Sequence, residues 1–531
     1  MNLTDRQDTS DASESLMNQT LPPWLILLLL CLLMAAMRYY TFDEPFERDI
    51  TTQAVTAHEI LNGKKIYTDI FSDRPPLLQA TYALGELIAG FGLWQIYLLW
   101  IVPSIITLIG VYYCATARNN ETSTGLWAAT FWAVISCDPF VQANQPNTEV
   151  FINSCLIWIL ALILRDDGKG SGQGRAVAIG ILLALGSLYK YHVVFMALAL
   201  GFVHVALPPG GIENRGRALR QLATSAGVSI SAWVGLFAYF YALGRFEEFW
   251  NDLFVYMAHY GGDLSYNLIQ GASPKNFLPD FMYGEIPLIA VCVIGAGLYW
   301  NKKVDRTAAC LIAYAGAVAL MVAIPGKFFP HYYQFWLPLL TFGGAKAITA
   351  IADLKGEEAE ASLKGMGVAL VIILLVIQVR HYFITPDNWA RMKYGDLFAE
   401  TQRVGRVIND VLKPDETFFN WGMDSGLHFY SRKPLPSGVG VWPPVFLIGP
   451  LIEPYSLIFK ADMVRNKPEM LIAAPYFPQT HEMFQWLLES YAVFPDNTPY
   501  APFKFYYRKG GALEQRLRAS GAFESPASNP S

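Results

Sequence analysis

Asp43, Glu44, Glu47, Asp49, Glu59, Asp69 and Asp73 share the stretch Phe42–Pro76 with Arg48, Lys64, Lys65 and Arg74. The stretch lies between two apolar runs. Ionisable groups are costly beside a bilayer and have no packing reason to gather there, so this segment is the first place to look for chemistry. Within it, Glu47, Arg48 and Asp49 precede a helical pattern that ends at Gly63. Asp49 has two readings. It would cap the helix N-terminus with an ion pair to Arg48, or it would act as a general base tuned by nearby cations and apolar walls. Tyr67–Pro76 comes next. Pro75 and Pro76 hold the chain extended before the following apolar run. Asp69 and the Asp73–Arg74 pair would bind each other or the backbone, or contact a substrate.

Other polar residues stand at the ends of apolar runs. Glu149 follows Asn147 and Thr148, either of which would cap a helix whose dipole suits the acid; an acid at membrane depth is equally a site candidate. Lys190 and His192 sit where two apolar runs meet with almost no loop. Lys327 and His331, with Tyr332 and Tyr333, lie in PGKFFPHYYQFW. Each basic residue would serve as a snorkelling anchor, or together they would form a cationic, aromatic-lined pocket fit for a lipid-linked phosphate. No Walker A loop, helix-opening GxGxxG, HExxH or DxD in the candidate external loops is found. A nucleotide-dependent external enzyme and a metalloprotease are thereby disfavoured. No strong metal-ligand set stands out, and no cofactor is expected.

The elements that must position these groups are membrane helices. The chain is 53% hydrophobic and 16% charged, where a soluble protein is nearer a quarter charged. Its apolar residues fall in runs of about 18 to 24, enough to cross a bilayer. The expected fold is a polytopic α-helical membrane protein with about eleven spans plus interfacial helices. The net charge of −5 argues against nucleic acid. Cys31, Cys114, Cys137, Cys155, Cys292 and Cys310 include no CxxC pair and read as small packing residues. Basic residues mark alternate short loops: Arg118; Arg165, Lys169 and Arg175; Arg215, Arg217 and Arg220; Lys302, Lys303 and Arg306; Lys355 and Lys364. The positive-inside rule makes these cytoplasmic. If Leu77–Leu93 lies in the interface rather than crossing, they share a side with the N-terminus and the acidic loop 41–76 faces outward. The expected divisions are a disordered cytoplasmic tail 1–20, a membrane domain 21–384, an external α/β domain 385–518 and a disordered tail 519–531. In the α/β domain, helices are expected over 396–412, 454–465 and 480–491, and strands over 417–421, 468–474 and 503–508.

The first loop resembles that of the dolichyl- and undecaprenyl-phosphate-sugar glycosyltransferases. This group includes the protein O-mannosyltransferases and the lipid A aminoarabinose transferases of the GT-C fold class. Their pattern has an acidic pair, about fourteen residues, Gly, Tyr-x-Asp, then Lys/Arg-Pro-Pro-Leu. Asp49, Gly63, Tyr67, Asp69, Arg74, Pro75 and Pro76 match it. ANQPNTEVF at 143–151 looks like a second acidic site carrying Glu149, Lys190 like a basic residue ending a later span, and PHYY at 330–333 like a late external motif. Many bacterial relatives have Asp-Glu where this chain has Asp49-Ile50. The resemblance implies inverting transfer of a sugar from a polyprenyl-phosphate donor to a hydroxyl or amine of a glycan, lipid or protein. It would occur at the periplasmic or external face of a plasma (inner) membrane. Asp49 would be the base. Arg74, Lys190, Lys327 or His331 would stabilise the departing phosphate. Glu47, Arg48, Tyr67, Asp69, Glu149, His192, Tyr332 and Tyr333 complete the candidate substrate contacts. The competing classes are a transporter or flippase, which should place charges in mid-span on both halves, and a polytopic scaffold.

Overall fold

The computed structural model describes residues 21–117, 121–299 and 304–523. Arg118, Lys302, Lys303 and the tail 1–20 lie outside them. Of the expected C-terminal tail, 519–523 carry the end of helix Ala512–Ala519 and a turn in which the Phe523 ring meets Tyr507, and 524–531 lie outside the described residues.

The chain is a multi-pass helical membrane protein. Among the described residues, five helical stretches have the length and apolarity to cross a membrane: Leu93–Ala115, Ile212–Ala242, Arg306–Ala323, Pro330–Asp353 and Gly356–Phe383. Pro23–Tyr39, Thr148–Leu164, Gln173–Tyr189, Tyr191–Ala206 and Ile286–Leu298 are apolar but shorter. At 1.5 Å per residue a seventeen-residue helix reaches about 25 Å. Some of these shorter helices stop where polar groups interrupt the run, as at Lys190 between Tyr189 and Tyr191. Helix Pro76–Ala89 is shorter still, about 21 Å, against roughly 30 Å of hydrocarbon. It begins at the Pro75–Pro76 pair and stops at Gly90, whose φ of 78° turns the chain away.

The bundle has two polar ends. At one end Arg217 and Arg175 bind Asp166, each at 2.8 Å, while Leu164, Leu207 and Arg306 line a shared cavity. The helices Thr148–Leu164 and Val194–Ala206 run from there to the opposite end, where the acidic loop and the other singled-out residues gather.

The C-terminal region folds around a four-stranded sheet of order β1-β2-β4-β3, comprising β1 (Phe418–Trp421), β2 (Met470–Ala473), β3 (Tyr491–Val493) and β4 (Lys504–Arg508). β1 and β2 pair in parallel and are buried along their whole length, which is why each reads as a continuous apolar run. β3 has no sequence signal of its own, being three residues at the end of helix Glu482–Ser490.

This sheet shares its core with the first loop. Helix Arg48–Leu61 buries Ile50, Ala54, Val55 and Ala57 in the same hydrophobic cluster as Phe418, Trp421, Leu427 and Val439. Polar contacts fix the docking. Thr52 bonds Ser425 at 2.9 Å, Glu59 accepts from the Leu435 N–H at 2.9 Å, and Lys64 donates to the Leu435 carbonyl at 2.9 Å. Gly438 lies so close to the loop that a Cβ there would stand 1.9 Å from the Asp69 carbonyl oxygen. A third segment joins them, since Asp252 accepts from the Ser72 N–H at 3.1 Å and from the Tyr455 hydroxyl.

Candidate active site

The polar end of the bundle encloses a cavity of about 510 Å³. Helix Arg48–Leu61 points its N-terminus into it, which places Glu47, Arg48 and Asp49 on one wall. Asp73 and Arg74 come from the same loop. Gln142 comes from the buried loop after Thr122–Ile135, and Lys190 and His192 from the break between two helices. His331 and Tyr332 come from the 3-10 turn Pro330–Trp336. Segments distant in sequence thus supply one chamber.

Asp49 stands at its centre. Its Oδ2 lies 3.7 Å from Arg74 Nη2 and 3.9 Å from His331 Nε2. The His331 ring is oriented by its other nitrogen, which bonds Gln142 Oε1 at 3.0 Å and leaves Nε2 facing the carboxylate. Arg74 also pairs with Asp73 at 3.4 Å. Burial opposes its charge, but Asp73 and Asp49 outweigh that and hold the guanidinium firmly protonated. Burial, then the neighbouring Asp49, pushes Glu47 well above the ordinary carboxylate range. Asp73 is raised by the same two causes in the same order, against the pull of Arg74. The carboxyls beside Asp49 are thus both shifted towards protonation, Glu47 strongly and Asp73 less so because Arg74 pairs with it.

Lys190 forms the next layer. Its ammonium bonds Glu149 Oε1 at 3.0 Å and sits 4.0 Å from the centre of the Tyr332 ring. Glu149 is 1% exposed and stands behind Lys190, away from the chamber lining. Lys327 lies over the Tyr260 ring at 4.5 Å, beside the lining segment Ile324, Pro325 and Phe329.

Several expectations change in this geometry. Asp49 does not cap the helix: Glu47 occupies the N-cap position, no side chain bonds the first turn, and Asp49 is its second residue. Arg48 turns away from Asp49, its guanidinium over the rings of Phe398 at 5.7 Å and Tyr476 at 5.4 Å. Tyr67 and Asp69 do not line the chamber. Tyr67 has φ 67°, which turns its ring into a cluster with Phe240 and Phe249, and its hydroxyl donates to the Arg74 carbonyl at 2.7 Å. It positions Arg74 rather than facing the chamber. Asp69 is exposed and accepts from the Lys65 N–H at 2.9 Å. Tyr333 points elsewhere, donating to the Asn276 carbonyl.

The opposite wall had almost no local signal. Lys393 and Tyr394 end helix Pro386–Tyr394, and Phe398 begins the next helix; Met423 and Trp442 follow from the sheet region. Burial lowers the Lys393 pKa, while its ion pair with the fully buried Glu44 keeps the charge compensated. Asn144 joins that pair, donating to Glu44 at 2.6 Å and accepting from Lys393 at 3.2 Å. Glu44 is thus tied up in structure.

Behind Met423, Asp424 accepts from the Tyr476 hydroxyl at 2.7 Å, and its other oxygen is buried without a partner. Burial pushes this carboxyl up to about 6. A raised acid contributes its stability below its unfolded pKa and loses it as pH rises through the folded one. Asp424→Asn is therefore expected to raise the melting temperature above about pH 7, by up to roughly 3 kcal/mol of stability. The gain should shrink as pH falls from about 6 towards 4, and a pH series of thermal melts of both proteins in detergent checks it. A gain that stays constant over that range would disprove the assignment.

Residues 73–244, about a third of the chain, match the family model described as dolichyl-phosphate-mannose-protein mannosyltransferase. Among curated proteins no match is found. Among solved structures, ArnT from Cupriavidus metallidurans bound to undecaprenyl phosphate superimposes with a TM-score of 0.60 at 13% identity, covering 91% of this chain and 97% of that one. The Archaeoglobus fulgidus oligosaccharyltransferase in its apo form gives a TM-score of 0.53 at 11% identity, covering 89% and 73%. The archaeal oligosaccharyltransferase AglB from Archaeoglobus fulgidus, in complex with an inhibitory peptide and a dolichol-phosphate, gives 0.50 at 12% identity, covering 89% and 72%. The helical bundle, the small C-terminal sheet and the family match agree, and the fold of this chain is that of the GT-C glycosyltransferases.

Proposed function

We propose that the protein is an inverting glycosyltransferase that moves a sugar from a polyprenyl-phosphate donor to an acceptor hydroxyl or amine. The observation that carries this reading is the setting of Asp49, an acid held between Arg74 and His331 in a chamber that also contains Lys190. Asp49 takes the acceptor proton as the acceptor oxygen forms its bond to the anomeric carbon. The bond from that carbon to the phosphate oxygen breaks, and the electron pair leaves with the lipid phosphate. Arg74, Lys190 and Lys327 stabilise the charge that builds there through charge-assisted hydrogen bonds. Attack from the face opposite the leaving phosphate inverts the anomeric configuration. The lipid carries the activated sugar, so no nucleotide takes part at this face.

The chamber lies at the end of the bundle opposite Arg165, Arg217 and Arg306. The positive-inside rule then supports an external position for it, which in a bacterial cell is the periplasmic side of the inner membrane. Helix Pro76–Ala89 is suited to the interface, where it would flank the lipid tail.

Mass spectrometry of extracted lipids and envelope glycans, with and without the gene, tests the proposal. Loss of the gene is expected to accumulate one polyprenyl-phosphate sugar and remove one glycan modification. Unchanged lipid and glycan profiles would count against it.

A further inference from the structure

Among the cations of this chamber, Arg48 is held differently. Arg74 pairs with Asp49 and Asp73, Lys190 with Glu149, and Lys393 with Glu44. Arg48 has aromatic faces and a sulfur instead: Phe398, Tyr476, and Met423 Sδ at 3.6 Å from Nη1. No carboxylate among the described residues lies within ion-pair distance of it. The nearby Glu47 and Asp424 act on it only from beyond that distance, the guanidinium pulling each carboxyl down against the push of burial. Rings that hold a guanidinium by its face leave its N–H edge available to a ligand.

Its placement separates it from the donor side. Successive helix residues project about 100° apart. Arg48 and Asp49 accordingly face different walls, Arg48 towards Phe398 and Met423, and Asp49 towards Arg74 and His331. Lys327, which also has an aromatic partner, lies over Tyr260 beside the apolar segment Ile324, Pro325 and Phe329. A lipid phosphate suits that side. The Arg48 side is built from the C-terminal region, where Lys393 and Tyr394 line the chamber beside Leu397, Phe398, Met423 and Trp442.

We propose that the acceptor is an anion, and that Arg48 binds its carboxylate or phosphate group while Asp49 takes the proton of a neighbouring hydroxyl. This inference rests on the transfer reading above. The guanidinium edge offers two parallel donors, which fix the acceptor's orientation as well as its affinity. The donor phosphate and the acceptor anion then occupy opposite sides of Asp49, and neither competes for the other's cation.

Equilibrium dialysis with the full chain in nanodiscs containing undecaprenyl phosphate tests this, because the lipid fills the donor-side cations. The probes are galacturonate against galactose, and glycerol 1-phosphate against glycerol, so the two arms separate a carboxylate from a phosphate. One anionic probe is expected to bind about tenfold more tightly than its neutral partner, the effect of a charge-assisted bond. Arg48→Gln should erase that preference, and Arg48→Lys should keep part of it. Retained binding of undecaprenyl phosphate shows that both variants are folded. No preference in the wild-type protein, or one that survives in Arg48→Gln, overturns the inference and leaves the transfer reading standing. Failure of the wild-type protein to bind undecaprenyl phosphate at all removes the transfer reading beneath it.

Discussion

Asp49→Asn is expected to lower transfer by about 10²- to 10⁴-fold, the usual contribution of a positioned general base. The substitution preserves shape and removes only the ability to take a proton. Arg74 keeps Asp73 as an ion-pair partner, so its position should survive. Asp49 is about a quarter exposed and carries no buried hydrogen-bond network of its own, so thermal melting should change little. Single-turnover assays with a polyprenyl-phosphate sugar measure the chemical step directly. Asp69→Asn is the matched control from the same loop. That residue is exposed and bonds only a nearby N–H, so its variant should turn over at nearly the wild-type rate. Near-normal turnover by Asp49→Asn would remove this residue from the role of base.

Lys190→Met carries the second large effect, on stability and activity together. Its side chain is 6% exposed and that of Glu149 1%, and they meet at 3.0 Å. Removing the lysine strands a buried carboxylate whose second oxygen already lacks a partner. Breaking such a pair from one side costs about 3–5 kcal/mol. Replacing both members, as Lys190→Met with Glu149→Gln, removes the stranded charge and should recover most of that loss. Transfer should recover in neither, because the cation proposed to stabilise the leaving phosphate is gone. Melting curves of the single and double variants decide the first point: if the two melt alike, the pair is not coupled as described. Assays on the stable double variant decide the second.

The half of the chamber around Asp49 and Lys190 was legible in the sequence because its residues carry local signals. Asp49, Gly63 and the Pro75–Pro76 pair are spaced within one loop, and charge beside an apolar run is conspicuous without any knowledge of packing. Lys190 and His331 stood out for the same reason. Side-chain direction was not legible. Tyr67 and Asp69 share a motif with Arg74, yet a left-handed backbone at Tyr67 sends its ring into an aromatic cluster. The far wall was hidden more deeply. Lys393, Phe398, Met423 and Trp442 occur in unremarkable helical and turn sequence, and only tertiary docking brings them to Arg48. The strands Phe418–Trp421 and Met470–Ala473 were readable as apolar runs. That their domain would share one core with helix Arg48–Leu61 was not, since burial against a distant partner leaves no periodic trace.

The contact of Gly438 with the Asp69–Ile70 backbone orders events in time. The ribosome makes the docking partner more than 350 residues after the loop. During that interval the helix that carries Asp49 has its apolar face uncovered and its Glu59 without the Leu435 amide. The loop that carries Asp49 is therefore synthesised well before the contacts that complete it. A chain cut short before the sheet forms would lack Met423, Trp442 and the core that seats helix Arg48–Leu61, and so the finished chamber.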